Sequence, residues 1–499
     1  MFRSRPPDVL GRLVSERRSE KSNREDGTVL GPVTSQWWSL SPLVPVLAGS
    51  LWLCTATSGT PMALLVAPPG ALLLGTGLSG LLWAVGARTL QYMALASVLG
   101  VVFSFPAALI LGPTAALVLG AGSAASFLAT GYLALTEHRS SPEVPEPEMA
   151  PAFAARAATD EVSMCGIVLT TWPLAVGPVA ARIRREVSDA YPLFEERGWL
   201  SEPATYHREP PPLEAPSIRS MSYRGRDVEC LTFDSLYEPR PEEPGSDRWL
   251  SRRYDPTAYA WVLRHPGEAS LWLVCVHGIR VGSLKRNLSL FRPDYLHEEL
   301  GLNILMPVLP THGPRRRGPI SGERTLSGDV MDSLHTGEQA IWDLRRLVSW
   351  LRRSEGAPAV GAIGHSLGGY VVALLASLER DLDFAVVGNP AVDPAHMFWT
   401  NAPAMVTHSL SAEGMSEETL EELLGPVSPL ALTPLIPLGR RAIFAGVGDR
   451  VVPPTEADSL WRHWGRPRIG WYQGAHGRFL RAPQARRVLE DTLHAAGML

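Results

Sequence analysis

Polar and apolar positions divide the chain sharply. Between Gly27 and Ala87 there is no Asp, Glu, Lys, Arg or His, and after the lone Arg88 the same holds from Thr89 to Thr136. A helix rising about 1.5 Å per residue needs about 20 apolar residues to cross roughly 30 Å of hydrocarbon. Gly, Pro, Ser and Thr breaks near Ser58 to Pro61 and Gly112 to Thr114 split the two runs into four expected spans, near 40–58, 62–86, 90–111 and 114–135, with Pro68 and Pro69 interrupting the second. A secretory signal has a single apolar core of about 7–15 residues, far shorter than this region. Trp37 and Trp38, just before the first span, suit an interfacial aromatic anchor.

Beyond the apolar region, Ser140 to Pro151 is rich in Pro and Glu and reads as a linker. Residues 163–200 join an apolar stretch, Ile167 to Val179 with Trp172, to a charged amphipathic one, Arg182 to Trp199. The amphipathic stretch suits either a helix on a membrane surface or a helix packed on the following domain. From about 217 short β-branched runs alternate with helical periodicity, the pattern of a mostly parallel sheet covered by helices. Eight strands are expected: Val228–Phe233, Tyr259–Leu263, Leu271–Val276, Leu302–Pro307, Val360–Ile363, Phe384–Val387, Ala442–Ala445 and Arg468–Tyr472. The expected organisation is a basic N-terminal segment (1–35), an all-α transmembrane region of about four helices (36–136), a linker with an amphipathic helix (137–216) and an α/β domain (217–499).

Charge then assigns an orientation. Basic residues precede the first span (Arg3, Arg5, Arg12, Arg17, Arg18, Lys21, Arg24) and recur only at Arg88 and Arg139 around the spans. The positive-inside rule places both ends, and with them the α/β domain, on the cytoplasmic side of a multi-pass protein. Lys occurs only at 21 and 285, an Arg bias that hints at a GC-rich bacterium, so the membrane expected for the spans is a bacterial cell membrane. A net charge of −4 on 46 basic and 50 acidic residues, with no basic stripe, argues against nucleic acid as a partner. Cys54, Cys165, Cys230 and Cys275 lie far apart in mostly apolar stretches and read as buried thiols, not as metal ligands. Neither H-E-x-x-H nor G-x-x-x-x-G-K occurs, so neither a metal nor a nucleotide cofactor is expected.

Candidate chemistry sits in the α/β domain. Gly364-His365-Ser366-Leu367-Gly368 follows a strand and opens a helix, and this setting makes the pentapeptide a nucleophile elbow. The turn strains the serine backbone, and only residues without side chains two before and two after let strand and helix approach, a need that Gly364 and Gly368 meet. A serine hydroxyl needs a base, and the base needs a carboxylate to fix its tautomer. Asp449 ends a strand in a Gly-rich loop and His476 follows the last strand between small residues. The order Ser366, Asp449, His476 fits, with Asp393 as the rival acid. Oxyanion donors are expected from the backbone of Leu367 and of Ile279 or Arg280, in the loop after His277-Gly278, where His277 is structural.

These residues resemble the α/β-hydrolase superfamily, in its serine esterase, lipase and peptidase-like branch, over roughly 220–499. The resemblance implies an α/β-hydrolase fold of eight strands with helices on both faces, an acyl-enzyme intermediate and no cofactor. Leu309-Pro310-Thr311-His312-Gly313-Pro314 also resembles a family loop, and the arginines at 315–317 after it suit an anionic head group or a solvated loop. Residues 390–437, with Met397-Phe398-Trp399, Met405 and an acidic helix at Glu417–Leu424, fit a small cap over an acyl pocket. The expected function is a membrane-anchored hydrolase of acyl esters, with the lipid bilayer and a lipid-like substrate as partners. A peptidase or thioesterase on the same fold, or a non-catalytic membrane scaffold, are the alternatives.

Overall fold

The computed structural model describes residues 40–498 apart from 56–59, 84, 138–140, 172–176, 252–255, 267–270, 326–328, 403, 413–414 and 478. The basic segment 1–35, Trp37, Trp38, Arg139 and Trp172 lie outside the described residues. Four apolar helices come first: α1 (Leu43–Thr55), α2 (Thr60–Leu82), α3 (Ala87–Leu111) and α4 (Pro113–Glu137). Gly112 separates α3 from α4 as its Gly/Pro/Thr cluster put it, residues 56–59 of the first cluster lie outside the described residues, and Pro68 and Pro69 lie inside α2 without ending it.

Among the described residues two helices are long and apolar enough to cross a membrane, Ala87–Leu111 with mean hydropathy 2.3 and Pro113–Thr136 with 1.5. Small residues on α4 let its neighbours approach: the indole of Trp52 on α1 donates to Ser123 Oγ at 3.0 Å, and a Cβ on Gly131 would lie 1.9 Å from the Ala154 carbonyl oxygen. The second contact brings α4 against α5 (Pro151–Thr171), which α6 (Pro178–Glu196) follows.

A nine-stranded sheet follows: β1 (Ser217–Tyr223), β2 (Arg226–Asp234), β3 (Thr257–Leu263), β4 (Trp272–Val276), β5 (Asn303–Val308), β6 (Val360–His365), β7 (Phe384–Gly388), β8 (Arg441–Gly446) and β9 (Arg468–Tyr472). They lie in the order β1-β2-β3-β5-β4-β6-β7-β8-β9. The pairs from β1 to β5 are antiparallel, and those from β5 through β4 and β6 to β9 are parallel. All eight expected strands are present. The ninth, β1, is a mostly exposed polar edge strand, so it lacks the apolar alternation that marks a strand in sequence.

Helices interleave with the strands: α7 (Ser246–Ser251), α8 (Leu284–Phe291), α9 (Val330–Arg353), α10 (Leu367–Leu375), α11 (Pro394–Asn401), α12 (Ala404–Ala412), α13 (Glu417–Leu423), α14 (Pro454–His463) and α15 (Pro483–Ala495). Strand alternation divides the core between the faces. Trp272, Val274 and Val276 meet α6, α9 and α10 on one side, while Leu273 and Cys275 meet α8 and α15 on the other. Strands β4, β6 and β7 are buried throughout, as expected where helices cover both faces of a parallel sheet. This is an α/β-hydrolase-like fold.

Pro42–Leu499 forms one compact unit. Of the two expectations for α6, packing on the following domain is the one met: Ile183, Val187, Ala190 and Phe194 are buried in the main core. The Pro/Glu stretch also rests on the sheet domain, where Gln473 accepts from the Glu148 N–H at 2.9 Å and donates to the Glu146 carbonyl at 3.1 Å. None of the four cysteines forms a disulfide; Cys165, Cys230 and Cys275 are buried, but Cys54 is exposed.

Candidate active site

Ser366 sits between β6 and α10 with φ 59° and ψ −123°, a conformation a side chain adopts only under strain. Its N–H donates to the Gly388 carbonyl at 2.9 Å, which ties the turn to the end of β7. A Cβ on Gly364 would lie 2.0 Å from the Gly368 carbonyl oxygen, and one on Gly368 would lie 1.9 Å from that of Val276. Both positions therefore exclude any side chain. Leu367 is the first residue of α10, so its N–H lacks a partner within the helix, at the positive end of the dipole.

The loop after β4 passes directly over the serine. A Cβ on Gly278 would lie 3.3 Å from Ser366 Cβ and 3.7 Å from its Oγ. The backbone continues through Ile279 to Arg280 at φ 67°. His277 holds this loop: its Nε2 accepts from the Leu309 N–H at 3.2 Å, leaving Nδ1–H to donate to the Gly278 carbonyl at 2.8 Å. Burial lowers its pKa to about 4, so the ring is neutral.

Asp449 and His476 come from the loops after β8 and β9. Asp449 Oδ1 accepts from the N–H groups of Val451 and Val452, both at 2.9 Å, and Oδ2 lies 2.6 Å from His476 Nδ1. Burial opposes charge on the imidazole, but the Asp449 carboxylate, its hydrogen bond and the charge of Asp160 together raise its pKa above the usual 6.5. The His476 ring lies 4.7 Å from that of His365, which stacks on Phe479 at 4.5 Å. His365 is fully buried and its pKa is far below the usual value, first from burial and then from His476.

Asp393 lies elsewhere. It caps α11 by accepting from the His396 N–H at 2.9 Å, and its own N–H donates to buried Glu456.

Two contributors were not visible in the sequence. Asn389, at φ 42°, donates to the His476 carbonyl at 3.3 Å and to Tyr472 Oη at 3.0 Å, and accepts from the Gly446 N–H at 2.9 Å. Its signal was only a polar residue at the end of an apolar strand. Asp160, on α5, accepts from the N–H groups of His476 at 2.8 Å and Arg450 at 3.2 Å. The linker-like sequence before α5 gave no hint of this role.

Other expected features are already engaged. Buried Arg315 pairs with Asp343 at 2.8 Å, and Arg317 donates to the Trp249 carbonyl at 3.0 Å, so these two do not form a head-group site. In the segment expected to form a cap, Met397 packs with Met164, Val451 and Val452, while Phe398 and Trp399 pack on the main core. Among the described residues Glu243, His335 and Glu338 have the composition of a metal site. Arg240 already lies 2.7 Å from Glu243 and 3.8 Å from Glu338, which supplies positive charge there.

No protein-family model matches the chain. It is 41% identical over 349 residues, 70% of its length and 83% of theirs, to two proteins of Mycobacterium tuberculosis, from strains CDC 1551 / Oshkosh and H37Rv, both described as uncharacterized. The chain belongs to their family. Among solved structures it is similar to acetyl xylan esterase 1 from Thermoanaerobacterium sp. JW/SL YS485, at 14% identity and a TM-score of 0.43, covering 60% of this chain and 93% of that one. A likeness this loose does not bear on chemistry.

Proposed function

We propose that the protein is a serine hydrolase that cleaves acyl esters through an acyl-enzyme intermediate, with Ser366 as nucleophile, His476 as general base and Asp449 as the acid that orients it. The observation that carries this reading is the 2.6 Å contact between Asp449 and His476, whose ring lies 4.7 Å from that of His365, the residue before the strained Ser366. In this mechanism His476 takes the Ser366 proton as Oγ attacks the ester carbonyl, and the Leu367 N–H with that of Ile279 or Arg280 stabilises the oxyanion. The imidazolium then protonates the leaving alcohol. Water, deprotonated by the same base, releases the acid. None of these steps calls on a metal or cofactor.

Membrane anchoring is part of the same proposal. Support comes from the length of α3 and α4 and from their exposed apolar side chains, with Phe105 at 73%, Leu109 at 90% and Leu117 at 72% exposure, which water disfavours. Such an anchor would hold the enzyme near lipid-like esters on the cytoplasmic side. Purified protein offered ester, thioester and peptide-anilide panels should turn over the esters fastest, and Ser366→Ala should abolish turnover. Preferential cleavage of the anilides would favour a peptidase instead, and absence of any turnover would favour a scaffold.

A further inference from the structure

Helix α5 stands outside the sheet and its connections, yet it crosses the whole candidate site. Phe153 packs near Gly448, Met164 packs with Val451 and Val452, and Thr170 Oγ1 accepts from the Arg280 guanidinium at the other end. Midway, one oxygen of Asp160 accepts the N–H of His476 and that of Arg450, the residue after Asp449. Its neighbour Glu161 pairs with Arg450 at 2.7 Å, with both side chains nearly inaccessible. A single helix therefore joins the two loops that carry acid and base.

A neutral acceptor would satisfy those two N–H groups equally well. A buried carboxylate close to Asp449 is the costly choice, because burial and like charge both oppose ionisation. What a carboxylate adds is negative charge beside the imidazolium. We propose that Asp160 is a positioning residue, which locks the acid and base loops together and supplies a second negative charge that stabilises protonated His476. This deepens the triad reading and rests on it.

The surroundings fit that role. Around Asp160 lie Asp449 and Arg450 from the loop after β8, Tyr472 at the end of β9 and His476 in the loop after it, and Arg156 and Arg481 on the cavity that Asp160 lines, with Glu161 next to it on α5. His365 faces His476 from the elbow. Burial, then Asp449, push the Asp160 carboxyl up to about 7, against the pull of His476 and the two N–H groups. A cavity of about 680 Å³, lined by Arg156, Asp160, Gln473 and Arg481, gives solvent a route to it. Helix α5 is in turn fixed to the apolar helices, since Phe153, Ala154 and Ala157 share one buried cluster with Leu90, Met93, Leu133 and Val447. The placement of this charge is thus set from α3 and α4.

The test is the pH dependence of the fluorophosphonate labelling rate, measured on the full chain in detergent. Asp160→Asn keeps an acceptor and removes the charge, so the acid limb should move to lower pH by on the order of one unit. Asp160→Glu should return the limb part of the way, and Asp160→Ser, a smaller neutral acceptor, should repeat the Asn result if that variant folds poorly. Slower labelling with an unmoved limb would overturn the proposal and leave the triad intact. No labelling of the unsubstituted protein would overturn both.

Discussion

Nδ1 of His476 lies 2.6 Å from Oδ2 of Asp449, a residue 27 positions earlier in the chain. Since Oδ1 is held by two backbone N–H groups, the carboxylate cannot turn away from the ring. Asp449→Asn should therefore leave the fold intact and lower kcat by roughly 10⁴, the cost of holding the wrong tautomer. Asp393→Asn should leave kcat nearly unchanged, because Asp393 caps α11. Steady-state rates on an activated ester decide this, and the reverse order would move the acid to Asp393.

The raised pKa of His476 fixes the shape of the pH profile. As a base, the ring works only when neutral, so kcat/KM should rise with pH and reach half its plateau above 6.5. The cause is the pair of carboxylates outweighing burial. A midpoint below 6.5 would mean that neither carboxylate is charged beside the free enzyme's imidazole.

Close packing connects the apolar helices to the site. A Cβ on Gly131 would meet the Ala154 backbone at 1.9 Å, which no side-chain rotation relieves. Gly131→Ala should push α5 away from α4 and cost about 1–3 kcal/mol, the usual range for overpacking. It should also lower kcat/KM, because Asp160 moves with α5. Gly75→Ala, where a Cβ meets nothing, is the control. Chemical denaturation and ester turnover on the same two variants check both effects.

Much of this was legible in the sequence where a local rule and the tertiary setting agree. The elbow is one such place: strand, Gly364, Ser366, Gly368 and helix are contiguous, so the pentapeptide carries its own context. The eight expected strands were equally plain, because short apolar and β-branched runs bounded by turn residues have few other readings. What escaped depends on contacts across long separations. Asp160 lies 316 residues from the His476 N–H it accepts, and nothing local distinguishes it from an exposed helical aspartate. Helix α6 shows the same gap, since an amphipathic stripe specifies an apolar partner but not whether that partner is lipid or core.

Membrane insertion predicts a fractionation result. The protein should stay with membranes after high-salt and alkaline washes and be released by detergent. Release by salt alone would mean that α3 and α4 are covered by protein instead of lipid.

The central claim is that Ser366 is the nucleophile. Its most direct measurement is peptide mapping by mass spectrometry after reaction with a fluorophosphonate. The account predicts a single adduct, on the peptide carrying Ser366, which disappears when His476 is replaced by Ala. An adduct on a different serine, or none under conditions where the protein is folded, would contradict it.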